Sequence, residues 1–341
     1  MRIFIVGSDK IYAIENYYKK YLEELGAEVF LFTAQNYFYE YYNRSIFNKI
    51  LYRASLSGIM RKIERLFMQN VNQFKPDVIW IFKGMEIRPA ALAWAKNRNV
   101  KLANYNPDNP FIFSGRGSGN SNVTRSISLY DLQFTYNLSV KEKLEREYLS
   151  KVVFLPFGFD LDDRLFEICV NQDEILKLCF AGNPDKERAA FIEAMALAGI
   201  QIDVFGNDWK KFVNNEAITV HPPVYGDDFW KILRRYRLQL NLMRPHNEDS
   251  HNMRTFEVPA VGGIMLAPDT KEHRLFFNDK QEVYFFSDPQ DAINKTKIVM
   301  GMSKNDIEKI RLSARLRSLA SGYSYKNRTD TVFQSFKNLL S

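Results

Sequence analysis

The sequence predicts an α/β protein built from two doubly wound domains, each a parallel sheet with helices on both faces. Three observations predict it. Segments such as PDVIWIFKG (76–84) are apolar without interruption, as strands buried on both faces are. They alternate with helical stretches along the whole chain, which is the order of βαβ units. One signature, a strand ending in a small residue before a helix, opens each half: FIVGS at Phe4–Ser8 and CFAGN at Cys179–Asn183. A chain of 341 residues suits two domains of roughly 150–170 residues each. The expected division is 1–162, 163–318 and a helical segment 319–341 that returns to the first domain.

Taken in order, RIFIVG is the first strand, a helix runs about Ile14–Leu25 to its stop at Gly26, and EVFLFTA is the second strand. An aromatic and basic segment fills Gln35–Phe74. PDVIWIFKG, opened by Pro76 and closed by Gly84, leads into a helix through Ala90–Lys96, and KLANYN, LQFTYN and VVFLPFG supply three more strands. LDDRLFEICVNQDEI reads as the crossing between halves. The second half then gives LKLCFAG, a helix Glu187–Leu197, QIDVFG, AITVHPPV, a helix Asp227–Tyr236, LQLNLM, a short helix at Glu257, GGIMLA, EVYFF and closing helices.

Composition excludes several classes. Lys+Arg minus Asp+Glu is 47 − 40, or +7, an excess that suits anionic ligands but is too diffuse to indicate nucleic acid. Cys169 and Cys179 lie in apolar surroundings without metal-ligand spacing, as buried thiols of a reducing compartment do. The opening MRIFIVGS is a strand rather than a signal peptide, and no run nears ~18 apolar residues. A cytoplasmic protein is expected. Segment 36–65 mixes Tyr and Phe with Lys and Arg, so it reads either as an insertion packing on the first domain or as a contact with a membrane surface.

In doubly wound sheets ligands bind beyond the carboxyl ends of the strands, at the switch in strand order. The loops there include Gly7–Lys10, Lys83–Glu86, Asn106–Asn109, Gly182–Arg188, Gly206–Trp209, Pro222–Asp227 and Arg244–Glu257. The richest is within NLMRPHNEDSHNMRTFEVPAVGGIML (241–266): strand, polar loop, helix start, glycine turn, strand. A helix start offers free N–H groups and partial positive charge to a phosphate, here beside Asn252, Met253, Arg254 and Thr255. Glu257, one turn in, suits the hydroxyls of a sugar. Arg244 ends the strand and can neutralise a diphosphate. His246 and His251 share the loop at irregular spacing, as hydrogen-bonding groups rather than metal ligands. Gly182 and Asn183 permit close backbone approach, and Arg188 can grip phosphate bidentately. Asp108 in NPDNP reads either as a turn residue or as a cleft-facing general base. The Gly/Ser-rich loop 114–122 reads as a lid or acceptor loop, and Asp160-Leu161-Asp162 as linker.

The segment Arg254, Phe256, Glu257, Val258, Pro259, Ala260, Gly262, Gly263 resembles the R-x-F-E-[IV]-P-A-x-G-G motif of GT-B glycosyltransferases of the CgeB-like, spore-maturation type. FKPDVIWIFKG, NPDNPF, LPFGFD, FAGN with Arg188, VFGNDW and YSYKNR are further likenesses in the same order. The resemblance implies two facing Rossmann-like domains with a cleft, an acceptor-side first domain and a donor-binding second. It implies a nucleotide-diphosphate sugar as co-substrate (UDP, or else dTDP or GDP), no metal, and a glycan, lipid-linked or protein acceptor. Gly182, Asn183, Arg188, Gly206, Arg244, Asn252, Met253, Arg254, Thr255 and Glu257 then bind donor, with Val224 and Tyr225 at the base. In the E-x7-E pattern of retaining members Glu257 takes the second place and Asp249 stands at the first, an Asp for Glu, with Glu248 adjacent. Asp108, Asp249 and His246 are the catalytic candidates. A GT-B-fold epimerase and a non-catalytic nucleotide-sugar or glycan-binding protein are the rival readings.

Overall fold

Wherever the sequence runs apolar between a Gly or Pro and a helix, the computed structural model has a parallel strand. It describes every residue except 55, 114–117, 245, 246 and 248. The chain divides into two units, Met1–Pro156 with Tyr325–Ser341, and Phe157–Ser324.

In the first unit the strands are β1 (Arg2–Val6), β2 (Glu28–Phe32), β3 (Val78–Phe82), β4 (Lys101–Asn106), β5 (Leu132–Thr135) and β6 (Val152–Phe154). Their order is β2-β1-β3-β4-β5-β6, all parallel, so strand order reverses between β1 and β3. Helix α1 (Ile14–Glu24) buries Ile14, Tyr18, Tyr21 and Leu22, a one-faced 3.6-residue stripe. The aromatic and basic segment folds into α2 (Ala34–Arg44), α3 (Ile46–Arg53) and α4 (Ile59–Phe74). Ile59, Ile63, Phe67 and Val71 of α4 enter the core beside Phe4 and Phe32, while α3 buries none of its residues. Helices α5 (Pro89–Lys96), α6 (Ser121–Ser126) and α7 (Leu138–Tyr148) complete the layers. The last helix, Tyr325–Leu340, belongs here because its aromatic side chains have partners here: Tyr325 stacks on Tyr17 at 4.9 Å, and Phe336 meets Trp80 at 5.4 Å and Phe134 at 5.8 Å.

The second unit opens with α8 (Asp163–Val170), whose N-cap is Asp162, its side chain accepting from the Leu165 N–H at 2.7 Å. Its strands are β7 (Ile175–Ala181), β8 (Ile202–Phe205), β9 (Ile218–His221), β10 (Tyr236–Leu240), β11 (Met265–Pro268) and β12 (Tyr284–Phe286), in the order β12-β11-β10-β7-β8-β9. The reversal falls between β7 and β10. The helices are α9 (Lys186–Leu197), α10 (Gly226–Arg235), α11 (Arg254–Ala260), α12 (Lys271–Phe276), α13 (Pro289–Gly301) and α14 (Lys304–Ala320). Expected as LQLNLM, β10 in fact starts at Tyr236, directly where α10 ends, and shifts register against β7 between Tyr236 and Leu238. The glycine turn after α11 has a steric cause. Gly262 sits at φ +72, and a Cβ on Gly263 would lie 2.5 Å from the Leu233 carbonyl oxygen.

No helix among the described residues is long and apolar enough to cross a membrane. Both cysteines are buried and unbridged.

Candidate functional site

At the strand reversal of the second unit, the ends of β7 and β10 are tied together by one side chain. Asp185 caps α9 by accepting from the Arg188 N–H at 2.9 Å, which fixes Arg188 in the first turn. Its guanidinium then donates to the Asn183 carbonyl at 3.2 Å and to the Leu242 carbonyl at 2.8 Å, one beyond each strand. Burial pulls Arg188 down to about 10, Asp185 opposes that, and the like charges of Arg244 and Arg254 add to it. Arg188 and Arg254 thus stand at the carboxyl ends of β7 and β10, and exposed Arg244 follows β10 in the chain.

Arg254, the first residue of α11, lies over the Phe229 ring at 4.2 Å and forms an ion pair with Glu257 one turn on. Its Nε is buried with no hydrogen-bond partner among the described residues. Glu257 is only 7% exposed, and burial pushes its carboxyl above the usual range, with Arg254 pulling it back. The Glu257 carboxylate thus faces its own arginine. The tip of α11 is less open than its sequence suggests. Asn252 Oδ1 accepts from the Thr255 N–H at 3.3 Å, and Thr255 Oγ1 accepts from the Asn252 N–H at 3.2 Å, a reciprocal cap. Met253 precedes the helix with helical backbone and no side-chain cap.

Beneath the tip lies a polar network. Asn252 Nδ2 donates to Asn241 Oδ1 at 2.7 Å. His273 Nδ1 is 2.8 Å from the Pro268 carbonyl, which can only accept, so the proton is on Nδ1 and Nε2 receives the Thr255 hydroxyl at 3.0 Å. Burial drives His273 down to about 4, which keeps it neutral. His251, wholly buried, accepts from the Phe157 N–H at Nε2 and faces Glu272 Oε2 at 2.5 Å through Nδ1; Ser250 donates to the same oxygen at 2.7 Å. Glu272, His273 and Asn241 were not singled out by the sequence. Thr270, which caps α12 by accepting from the His273 N–H at 3.0 Å, is the local signal that places Glu272 and His273.

Of the other expected residues, Gly206 is held by packing, since a Cβ there would lie 2.4 Å from the Gly182 carbonyl oxygen. Trp209 Nε1 donates to that oxygen at 2.8 Å, and Asn183 Oδ1 accepts from the Asn207 N–H at 3.0 Å, so the β7 and β8 loops form one piece. Val224 packs against Cys179, Phe205 and Tyr236, and half-exposed Tyr225 precedes α10. Asp227 and Asp228 in the first turn of α10 oppose an anion there. Asp249 is exposed in left-handed backbone, φ +56. His246, Glu248 and residues 114–117 of the Gly/Ser-rich loop lie outside the described residues. No cluster of three or more His, Cys, Asp or Glu with a metal-site arrangement occurs among the described residues.

At the strand reversal of the first unit, Lys83 directly follows β3 at φ +62 and pairs with Asp108 at 2.5 Å. In NPDNP the turns are made by the asparagines: Asn106 Oδ1 accepts from the Asp108 N–H at 3.0 Å and Asn109 Oδ1 from the Phe111 N–H at 2.9 Å. Close by are two buried carboxyls. Glu15 accepts from the Ser8 N–H at 3.0 Å, and burial pushes it up to about 7 against that bond, with Glu86 adding to the rise. Glu86 is likewise pushed up to about 7 by burial, with Lys83 opposing. Glu86 was expected on this loop, whereas Glu15 was not; a lone acid at a helix start carries no distinguishing pattern.

Comparison with known proteins agrees with this geometry. Residues 187–334 match the family described as glycosyl transferase-like. Curated protein sequences give no match. Among solved structures, sucrose-phosphate synthase from Thermosynechococcus elongatus is similar at 10% identity over 99% of both chains, TM-score 0.69. A glycosyltransferase from Rickettsia africae matches at 13% identity over 100% of this chain and 98% of that one, TM-score 0.67. Anabaena HepE, solved in complex with UDP-glucose, matches at 12% identity over 99% and 100%, TM-score 0.66. Residues 187–334 thus resemble the glycosyl transferase-like family, and the two six-stranded parallel α/β units have the fold of GT-B glycosyltransferases.

Proposed function

We propose that the chain is a glycosyltransferase that moves a sugar from a nucleotide-diphosphate sugar to a glycan, lipid-linked or protein acceptor, without a metal ion. The observation that carries this is the strand reversal of the second unit itself, where Arg188 bridges the Asn183 and Leu242 carbonyls past the ends of β7 and β10 and Arg254 opens α11. Two held positive charges, with exposed Arg244 beside them, match the charge that develops on a departing diphosphate, the part a divalent cation would otherwise play. Arg254 Nε, buried and unpartnered among the described residues, has a donor to give. Gly182 and Asn183 line the approach. Val224 and Tyr225 hold the base, away from the two acids of α10. Glu257 accepts from the ribose when Arg254 turns to phosphate, and Asp249 addresses the transferred sugar. UDP is the favoured nucleotide, since HepE binds UDP-glucose.

The first unit takes the acceptor, with Asp108 as general base once Lys83 is displaced onto the incoming group. Kinship with the CgeB-like group rests on the Arg254–Gly263 motif. Two buried free thiols suit the cytoplasm.

The test is product analysis of UDP-sugars incubated with candidate acceptors. Acceptor-dependent UDP release with a glycosylated product, lost in Arg188→Ala, is expected. A donor recovered with its sugar epimerised and no UDP released would replace this reading with an epimerase. Donor bound but never consumed would replace it with a binding protein.

A further inference from the structure

Helix α3 turns its apolar side chains outward. Ile46, Phe47 and Ile50 are 70%, 63% and 54% exposed, and Leu56 just beyond is 74% exposed. At 100° per residue the three helical positions span an arc of about 100°, with Lys49 and Arg53 along its flank. The helix is nevertheless held in place from its other side. Tyr52 packs edge-on to Phe38 at 4.9 Å and Tyr42 at 5.8 Å, and Asn48 Nδ2 donates to the Tyr41 carbonyl at 2.8 Å. The exposed arc is therefore a fixed surface feature of the folded unit.

Between its flanking acids the segment is wholly basic. Between Glu40 and Glu64 the chain has no acidic residue but carries Arg44, Lys49, Arg53, Arg61 and Lys62. In the same segment a cavity of about 430 Å³ opens between α2 and the start of α4. Tyr37, Tyr41, Glu40, Arg44 and Lys62 are among its lining residues. Two cations there suit a phosphate, and the tyrosine hydroxyls and one carboxylate suit the hydroxyls of a polar head.

We propose that α3 and this cavity form a docking face for a membrane surface rich in an anionic, hydroxyl-bearing phospholipid. Ile46, Phe47, Ile50 and Leu56 enter the acyl boundary, Lys49 and Arg53 lie along the headgroups, and the cavity takes one headgroup. An interfacial helix works in this way: a short apolar arc is insufficient alone, and attraction to anionic lipid supplies the rest. Paired aliphatic and basic exposure with no acid between favours a bilayer over an acidic protein surface, which would leave the aliphatic side chains in water. The inference does not depend on the donor site, which lies in the other unit.

The experiment is flotation of the full chain with phosphatidylcholine vesicles, with and without phosphatidylglycerol, alongside UDP titration. Binding is expected only with phosphatidylglycerol. It should fall by about tenfold or more in Phe47→Glu and in the double variant Lys49→Glu with Arg53→Glu, with UDP affinity unchanged. In Phe47→Trp, tryptophan emission should shift to the blue when anionic vesicles are added. Equal binding to both vesicle types, no binding to either, or no blue shift overturns the proposal. So does a dimer in solution that Phe47→Glu dissolves, because a second copy would then be the occupant.

Discussion

Arg254 has two partners to serve, and only one of them is in the protein. Its pair with Glu257 neutralises a carboxylate that burial has pushed up, while its Nε has no acceptor among the described residues. Removing it should therefore cost stability as well as donor affinity. For Arg254→Ala we expect a loss of about 2–3 kcal/mol near neutral pH, since the buried Glu257 is left without its cation. Because the folded-state pKa of Glu257 is raised, that loss should shrink as the pH falls and the carboxyl is protonated. Adding Glu257→Gln should recover most of it at neutral pH. Urea unfolding of the single and double variants at two pH values checks this, and a pH-independent loss would show that the pair is not responsible.

At the scale of elements, the β7 and β8 loops behave as one unit because the Gly206 Cα rests against the Gly182 carbonyl, which Trp209 also holds. Gly206→Ala forces these apart, with an expected cost of about 1–3 kcal/mol and weaker nucleotide binding in the same variant. Thermal unfolding and calorimetry measure the two; an unchanged melt would mean the loops yield freely. Much of this scale was legible in the sequence. Each of the twelve strands among the described residues contains or overlaps a run read as a strand in the sequence, most plainly central ones such as β3, which is buried along its whole length and tolerates little but apolar residues. Helices α2–α4, α6 and α8 were read only as a segment, a loop and a crossing, and α7 and α12 were not read at all. LSVKEKLEREY buries only Val140 and Leu144, and KEHRLF spans barely more than one turn. With α12 unread, Glu272 and His273 were invisible, and so was the network that fixes Asn252 and Thr255. Long-range partners such as Arg188 with Leu242, 54 residues apart, leave no trace in local pattern.

Over the whole molecule, the two units repeat one construction, a six-stranded parallel sheet with a strand reversal, but the buried charged groups near the two reversals differ. The second unit gathers arginines, and the first gathers carboxyls. Glu15 and Glu86, both raised from 4.5 to about 7, bind more protons folded than unfolded within that window. Stability of the first unit should therefore fall as the pH rises from about 4.5 to 7, by roughly 2–3 kcal/mol for each carboxyl. Glu86→Gln should flatten that slope in calorimetric melts between pH 5 and 8, and a slope unaltered by the substitution would assign it elsewhere. The arginine cluster bears the central claim, that the second unit recognises a nucleoside diphosphate through its phosphates. Isothermal titration of the full chain with UDP and with uridine tests it most directly. UDP should bind at least about tenfold more tightly than uridine, and Arg188→Ala should erase most of that difference. Equal affinity for the two ligands, or a preference for UDP that survives Arg188→Ala, would contradict it.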